Sequence, residues 1–283
     1  MVPSIPPRIH ILLASQSDRA LVIRRGPSKQ VATILWQRDT DTFRLGQWLK
    51  GRLYARRADI SPDGQYFIYF AMNGRWHTRS PGSWTAISRV PYLKALAFFP
   101  QNHSWYGGGL FLDNQHYWLH AGYNPRPPKD DTQLTCVANY PTQANSGGPY
   151  PGVYYPRLIR DGWRLIKHDD SRYQHTIDTF DKPLFAGWHL RKLVHSQVSP
   201  PPGKSIYWDE HKLIQPQHNI TLHFPDWGWA EKDGHKDGSR PRRLVYVTHG
   251  QLFATNLNEQ GLINTKELYD FNAMTFEPII APY

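Results

Sequence analysis

Lys50-Gly51-Arg52 and Arg56-Arg57 form the densest run of positive charge in the 283-residue chain, with Trp48 and Tyr54 interleaved. A guanidinium stacks on an aromatic face and grips phosphate through two parallel donors, so this pattern suits an anionic ligand or single-stranded nucleic acid. Arginine stems also cover exposed rings as ordinary surface, and no recognised nucleic-acid module accompanies the patch, so nucleic acid is possible but not favoured. A second constellation is His103-Ser104-Trp105-Tyr106-Gly107-Gly108-Gly109. An imidazole ahead of a glycine run is the make-up of an esterase oxyanion hole, but that chemistry needs a Gly-x-Ser-x-Gly elbow, which the chain lacks. Three adjacent glycines instead permit close backbone approach. The expected ligand-binding set is therefore Arg52, Arg56 and Arg57 for anion attraction, Trp48 and Trp105 for stacking beside His103, and Gly107, Gly108 and Gly109 for close contact.

Other groupings are weaker. Arg24-Arg25-Gly26-Pro27-Ser28-Lys29 is a basic turn whose N–H groups can cradle a phosphate, without the two-glycine spacing of a nucleotide-hydrolase loop. His116 and His120 are four apart, as on a zinc-protease helix, but the segment reads as a strand, which holds them about 13 Å apart. His168-Asp169-Asp170 and Asp209-Glu210-His211 mix acid with imidazole, and acid–base work there requires folding to bring a second group close. No metal and no cofactor are expected.

The net charge of +10 and pI near 9.6 favour an anionic ligand or an acidic protein surface as partner. The single cysteine, Cys136, excludes an internal disulfide and suits a reducing cytoplasm. No leader pattern stands at the N-terminus, and no apolar run approaches the roughly 20 residues of a membrane helix. A soluble cytoplasmic protein without a membrane partner is expected.

The elements that must position these residues are strands. With 21 Gly and 24 Pro spread along the chain, few windows accommodate a helix. The plainest signal is Asp59-Ile60-Ser61-Pro62-Asp63-Gly64, a tight turn running into Tyr66-Phe67-Ile68-Tyr69-Phe70. Proline presets the first corner and glycine takes the positive φ. The strand that follows is apolar on both alternating faces, as one buried on both sides must be. Strand-like segments fall into about five groups: 9–45, 65–89, 95–119, 157–208 and 227–269. Residues 122–152 read as a long loop with a short strand near 134–138. The expectation is a single all-β domain over 1–283, a β-propeller of about five blades, with a six-bladed propeller or a β-sandwich as alternatives. Most of the 11 Trp should then bury between sheets.

The segment from Asp59 to Gly64 resembles blades of TolB-like and WD-repeat propellers, where an Asp-x-Ser-Pro-Asp-Gly turn precedes the inner strands. The chain is also similar to a family of uncharacterised bacterial proteins, through Gly26-Pro27-Ser28-Lys29, Leu45-Gly46-Gln47-Trp48, Gly82-Ser83-Trp84-Thr85-Ala86-Ile87, Gly107-Gly108-Gly109-Leu110-Phe111, and the tail from Asp270-Phe271-Asn272 through Phe276-Glu277-Pro278. Neither resemblance implies catalytic residues, because propellers host unrelated functions. The function expected is a non-catalytic binding or interaction module with an axial or loop-built pocket. The alternatives are a hydrolase or lyase acting on a carbohydrate or other small substrate in that pocket, and nucleic-acid binding through the basic-aromatic patch.

Overall fold

The computed structural model describes residues 5–27, 29–77, 82–121, 127, 129–138, 140, 151–234 and 242–283. Ser28 of the basic turn and most of the expected 122–152 loop lie outside the described residues. The chain divides into two compact units: one of Met1–Ile5, His10–Arg157 and Met274–Tyr283, the other of Pro6–Ile9 and Leu158–Ala273.

Three sheets serve the first unit. The first runs in order through β1 (Arg8–Leu13), β2 (Arg19–Arg25), β3 (Gln30–Gln37) and β4 (Thr42–Lys50). The second contains β5 (Arg52–Leu53), β6 (Asp59–Ile60), β7 (Tyr66–Met72), β8 (Ser83–Arg89) and β9 (Ala95–Gln101), with β12 (Lys129–Asp130) added beside β9. The third joins β10 (Gly109–Phe111), β11 (His116–Leu119) and β13 (Thr135–Val137).

The turn at residues 61–64 closes with Gly64 N–H donating to the Ser61 carbonyl at 2.8 Å, and Gly64 takes φ +74°. Strand β7 is buried on both faces, as its composition requires. Phe67, Tyr69 and Ala71 pack with Leu12, Leu21, Ile23 and Val31 of the first sheet. Ile68 points the other way, into a cluster with Phe111, Tyr117 and Leu119 of the third sheet. The turn's aspartate faces inward: buried Asp59 Oδ2 accepts the Phe111 N–H at 2.8 Å and ties the second sheet to the third.

The second unit has two meanders. One is β14 (Arg164–Arg172), β15 (His175–Pro183), β16 (His189–Gln197), β17 (Tyr207–Gln215) and β18 (Ile220–Phe224). The other is β19 (Trp227–Asp233), β20 (Arg243–Thr248), β21 (Gln251–Leu257) and β22 (Leu262–Asp270). Phe224, Trp227 and Tyr246 stack in series at 3.9 Å per step. Each of these rings buries a large apolar area, so the series is a substantial part of this unit's core.

The fold is all-β. Among the described residues its five sheets follow one another along the chain, except that β12 of the second sheet falls between β11 and β13 of the third, in agreement with the expected class and count. Two expectations are corrected. Residues 95–99 do not open a third group: β9 pairs with β8 and completes the second sheet. Residues 157–160 are not a strand but the end of helix α1 (Pro151–Arg160). Buried Val153, Tyr154, Arg157 and Leu158 recur at helical spacing. Proline suits the first helical position, where its missing N–H is no loss. The helix stops at Gly162, which takes φ +90°, while Trp163 N–H bonds the Leu158 carbonyl and Gly162 N–H that of Ile159. That pair of bonds is the Schellman ending that glycine makes possible. Among the described residues no helix is long and apolar enough to cross a membrane.

Candidate functional site

The glycine loop of the first unit is assembled by backbone contacts that only glycine allows. Gly107 takes φ +126° with its α-carbon against the Phe70 ring, where a Cβ would stand 2.2 Å from Cδ2. At Gly108, with φ +82°, a Cβ would stand 2.0 Å from the Arg57 carbonyl oxygen, and at Gly109 it would stand 2.1 Å from that of Trp118. The β10–β11 hairpin continues past its strands: Gly107 N–H donates to the His120 carbonyl at 2.7 Å, and His120 N–H to that of Gly108 at 2.9 Å. Gly108 N–H donates to Thr85 Oγ1 at 2.8 Å.

Arg57 closes the loop from the other side. It lies in a 3-10 turn, Ala55–Arg57, and is only 2% exposed. Its Nη2 donates to the Ser104 carbonyl at 2.8 Å and its Nη1 to that of Tyr106 at 3.2 Å. The guanidinium also sits over the rings of Phe70 and Tyr54, at 4.7 and 5.4 Å from their centroids. The turn is itself held by α1, because buried Arg157 Nη1 donates to the carbonyls of Ala55 and Ala58. Charge-assisted bonds of this kind are stronger than neutral ones, so two buried arginines in succession fix where the loop lies.

Around the loop stands a row of rings. His103 meets Tyr106 at 5.8 Å, Tyr106 meets His120 at 5.4 Å, His120 meets Trp118 at 5.7 Å, and Trp118 meets Tyr140 at 5.5 Å. The Nδ1 atoms of His103 and His120 are buried and lack a hydrogen-bond partner. Burial, seconded by the positive charge of Arg57, pushes the His120 pKa down to about 4, so the imidazole is neutral near pH 7. Two side chains of the loop face outward: Trp105 is 70% exposed and Tyr106 44%. The site thus offers two aromatic faces on a rigid support, with imidazole nitrogens behind them.

The structure brings together Arg57, His103, Trp105, Gly107, Gly108 and Gly109. It does not bring Trp48, Arg52 and Arg56 into that group. Trp48 lies between Arg24, 5.4 Å from its centroid, and Phe276, whose ring is 5.9 Å away. Arg52 is exposed on β5, and Arg56 lies 4.8 Å above the Tyr154 ring. Of the expected basic run, Lys50 and Arg52 are exposed, Arg56 is half-buried and Arg57 buried. Arg57 is interior, and buried Arg24, Arg38 and Arg157 withdraw further positive groups from the surface.

His116 and His120 also part company. His116 Nδ1 bonds Asp113 at 2.8 Å, while His120 joins the ring row. Sequence reasoning did not place Trp118 and Tyr140 beside this loop, and it named His120 only with His116 and Tyr54 only with the basic run. A signal existed for His120, since the Asp113-Asn114 turn sets a register that places it opposite Gly108.

In the second unit the acid–imidazole mixtures fall on one sheet. His168 Nδ1 and Asp178 Oδ1 are 2.5 Å apart, and this bond raises the His168 pKa. The cross-strand register runs His168, Asp178, Val194, Asp209, so Asp178 and Asp209 share a face, and both are buried.

No family model and no curated relative matches the chain. Among solved structures it is similar to a mutant of the GH43 protein BlXynB from Bacillus licheniformis, at 12% identity and a TM-score of 0.36, with 94% of this chain and 55% of that one covered. The BlXynB protein itself gives 11% identity and a TM-score of 0.32, covering 98% and 59%. The chain thus spans less than two thirds of the length of either.

Proposed function

We propose that the chain is a non-catalytic binding module whose ligand docks on the loop of residues 103–109. The observation that carries this reading is the pairing of opposites in one loop. Exposed Trp105 and Tyr106 project from a backbone that Arg57 and three glycines hold fixed. Aromatic rings presented without an entropy cost of ordering favour binding. A sugar ring, with an apolar face for the indole, is the class of ligand this suits. Calorimetric titration with neutral and uronic-acid oligosaccharides tests it. Binding that Trp105→Ala abolishes supports the reading, and no heat from any member of the panel opposes it.

A second reading, an enzyme acting on a small substrate, is favoured by one observation in the second unit. Half-exposed His168 is oriented through Nδ1 by buried Asp178, which leaves Nε2 available as a proton acceptor. Its test is turnover of chromogenic glycosides and esters. Activity that Asp178→Asn lowers at least about tenfold supports it, since a wrongly oriented base loses the 100-fold or greater benefit of proton transfer.

A further inference from the structure

Strands β15 to β18 place three imidazoles, an indole and a carboxylate on the opposite face of that same sheet. The register sets His195 against Trp208 and Leu193 against Glu210, and on the next strand Lys212 against His223. His195 lies flat on the indole of Trp208, with centroids 4.4 Å apart and planes within 6°. Its Nδ1 is 3.0 Å from His175 Nε2. Its Nε2 is buried and without a hydrogen-bond partner, 3.8 Å from Glu210 Oε2. The same carboxylate oxygen stands 3.1 Å from His223 Nε2, and Oε1 accepts the Trp208 indole N–H at 3.4 Å. The His195 side chain is 8% exposed and that of His223 46%, so the group opens to solvent at one side.

A neutral imidazole carries one N–H. With the proton on Nδ1, His195 donates to His175 and turns a bare Nε2 lone pair toward a carboxylate. In this tautomer two lone pairs face one another beside a half-buried carboxylate, an arrangement that a positive ion between them stabilises. Zinc bonds imidazole nitrogen and carboxylate oxygen at about 2.0–2.2 Å, which in a tetrahedral site puts ligand atoms about 3.3–3.5 Å apart. The separations of 3.1 and 3.8 Å bracket that spacing. Among the described residues no three His, Cys, Asp or Glu side chains already surround one point. An ion must therefore draw His195 and Glu210 together by about 0.4 Å to reach that spacing.

We propose that His195 Nε2, Glu210 Oε2 and His223 Nε2 bind a divalent transition-metal ion of the zinc class, with the solvent side left for further ligands. His175 and Trp208 act as positioning residues. They fix the His195 tautomer and the Glu210 carboxylate, the outer-shell role that metal-binding imidazoles and carboxylates regularly require.

The test is calorimetric titration of Zn²⁺ alone into the untagged, chelator-treated full chain. One equivalent should bind and raise Tm. Glu210→Gln and His223→Ala, at partly exposed positions, should each weaken binding at least about tenfold, and His175→Ala about 10–100-fold as an outer-shell change. His116→Ala, in the other unit, should leave it unchanged. Absence of stoichiometric uptake, or uptake indifferent to both Glu210→Gln and His223→Ala while they remain folded by circular dichroism, overturns the proposal.

Discussion

Arg57 and Gly108 meet backbone to backbone. The space a side chain would need at residue 108 is filled by the carbonyl oxygen of residue 57, 2.0 Å from the ideal Cβ position. The arginine whose guanidinium holds the loop at Ser104 and Tyr106 thus also makes glycine obligatory two residues further on.

Gly108→Ala should therefore cost more than Gly74→Ala. Both positions have positive φ, +82° and +73°, but nothing lies within 4 Å of a Cβ at Gly74. The Gly74 variant faces only left-handed strain, about 1–2 kcal/mol. The Gly108 variant adds a clash with backbone that cannot rotate away, for about 3–5 kcal/mol in all. Urea denaturation of the two variants side by side checks the difference.

Arg57→Ala removes charge-assisted bonds to two carbonyls and the cover over Phe70. A loss of about 3 kcal/mol is expected, with Trp105 and Tyr106 losing their fixed placement as well. Hydrogen exchange should show residues 103–109 opening more readily. Arg57→Lys cannot reach both carbonyls in fork geometry and should recover only part of the stability.

How far the sequence carries can be seen at these residues. The turn at 61–64 and strand β7 were legible because their chemistry is local: proline and glycine fix the turn, and unbroken apolar alternation fixes burial on both faces. The glycine loop was legible as a place of close approach. What it approaches was not, since Arg57, Phe70 and Thr85 come from distant parts of the chain. Charge misled at Arg56-Arg57, because a run of arginines looks the same whether its members face solvent or hold buried carbonyls. Helix α1 was missed because the Gly and Pro spread along the chain left few windows for a helix, although Pro151 suits a helix start.

The segment at 274–283 packs on the first unit through contacts no sequence pattern announces. Gln47 joins the two: its Nε2 donates to the Ile279 carbonyl at 2.8 Å, while its Oε1 accepts the N–H groups of Leu93 and Lys94 at 2.7 and 3.0 Å. Gln47→Ala should cost about 2 kcal/mol, from roughly three bonds each worth about 0.5–1.5 kcal/mol net and partly replaced by water. Thermal unfolding monitored by circular dichroism reads the effect.

His120 sets an acid limit. Its pKa is lowered on folding from 6.5 to about 4, first by burial and then by Arg57, so the unfolded chain binds the proton more readily. Its contribution to stability is whole above pH 6.5 and fades as pH falls toward 4. His120→Phe keeps a ring without the titration. Its stability should fall less steeply than that of the parent across this range in urea titrations, and parallel slopes would assign the acid sensitivity elsewhere.

The most direct test of the binding site is a pair of isothermal titrations with the same oligosaccharide panel, one on the parent chain and one on Trp105→Ala. Trp105 is 70% exposed, so its loss should leave the fold and Tm unchanged. Saturable binding by the parent, weakened at least about tenfold in the variant, is the expected result, since one stacked ring contributes about 1–3 kcal/mol. Equal affinity in both proteins, or no binding by the parent, would contradict it.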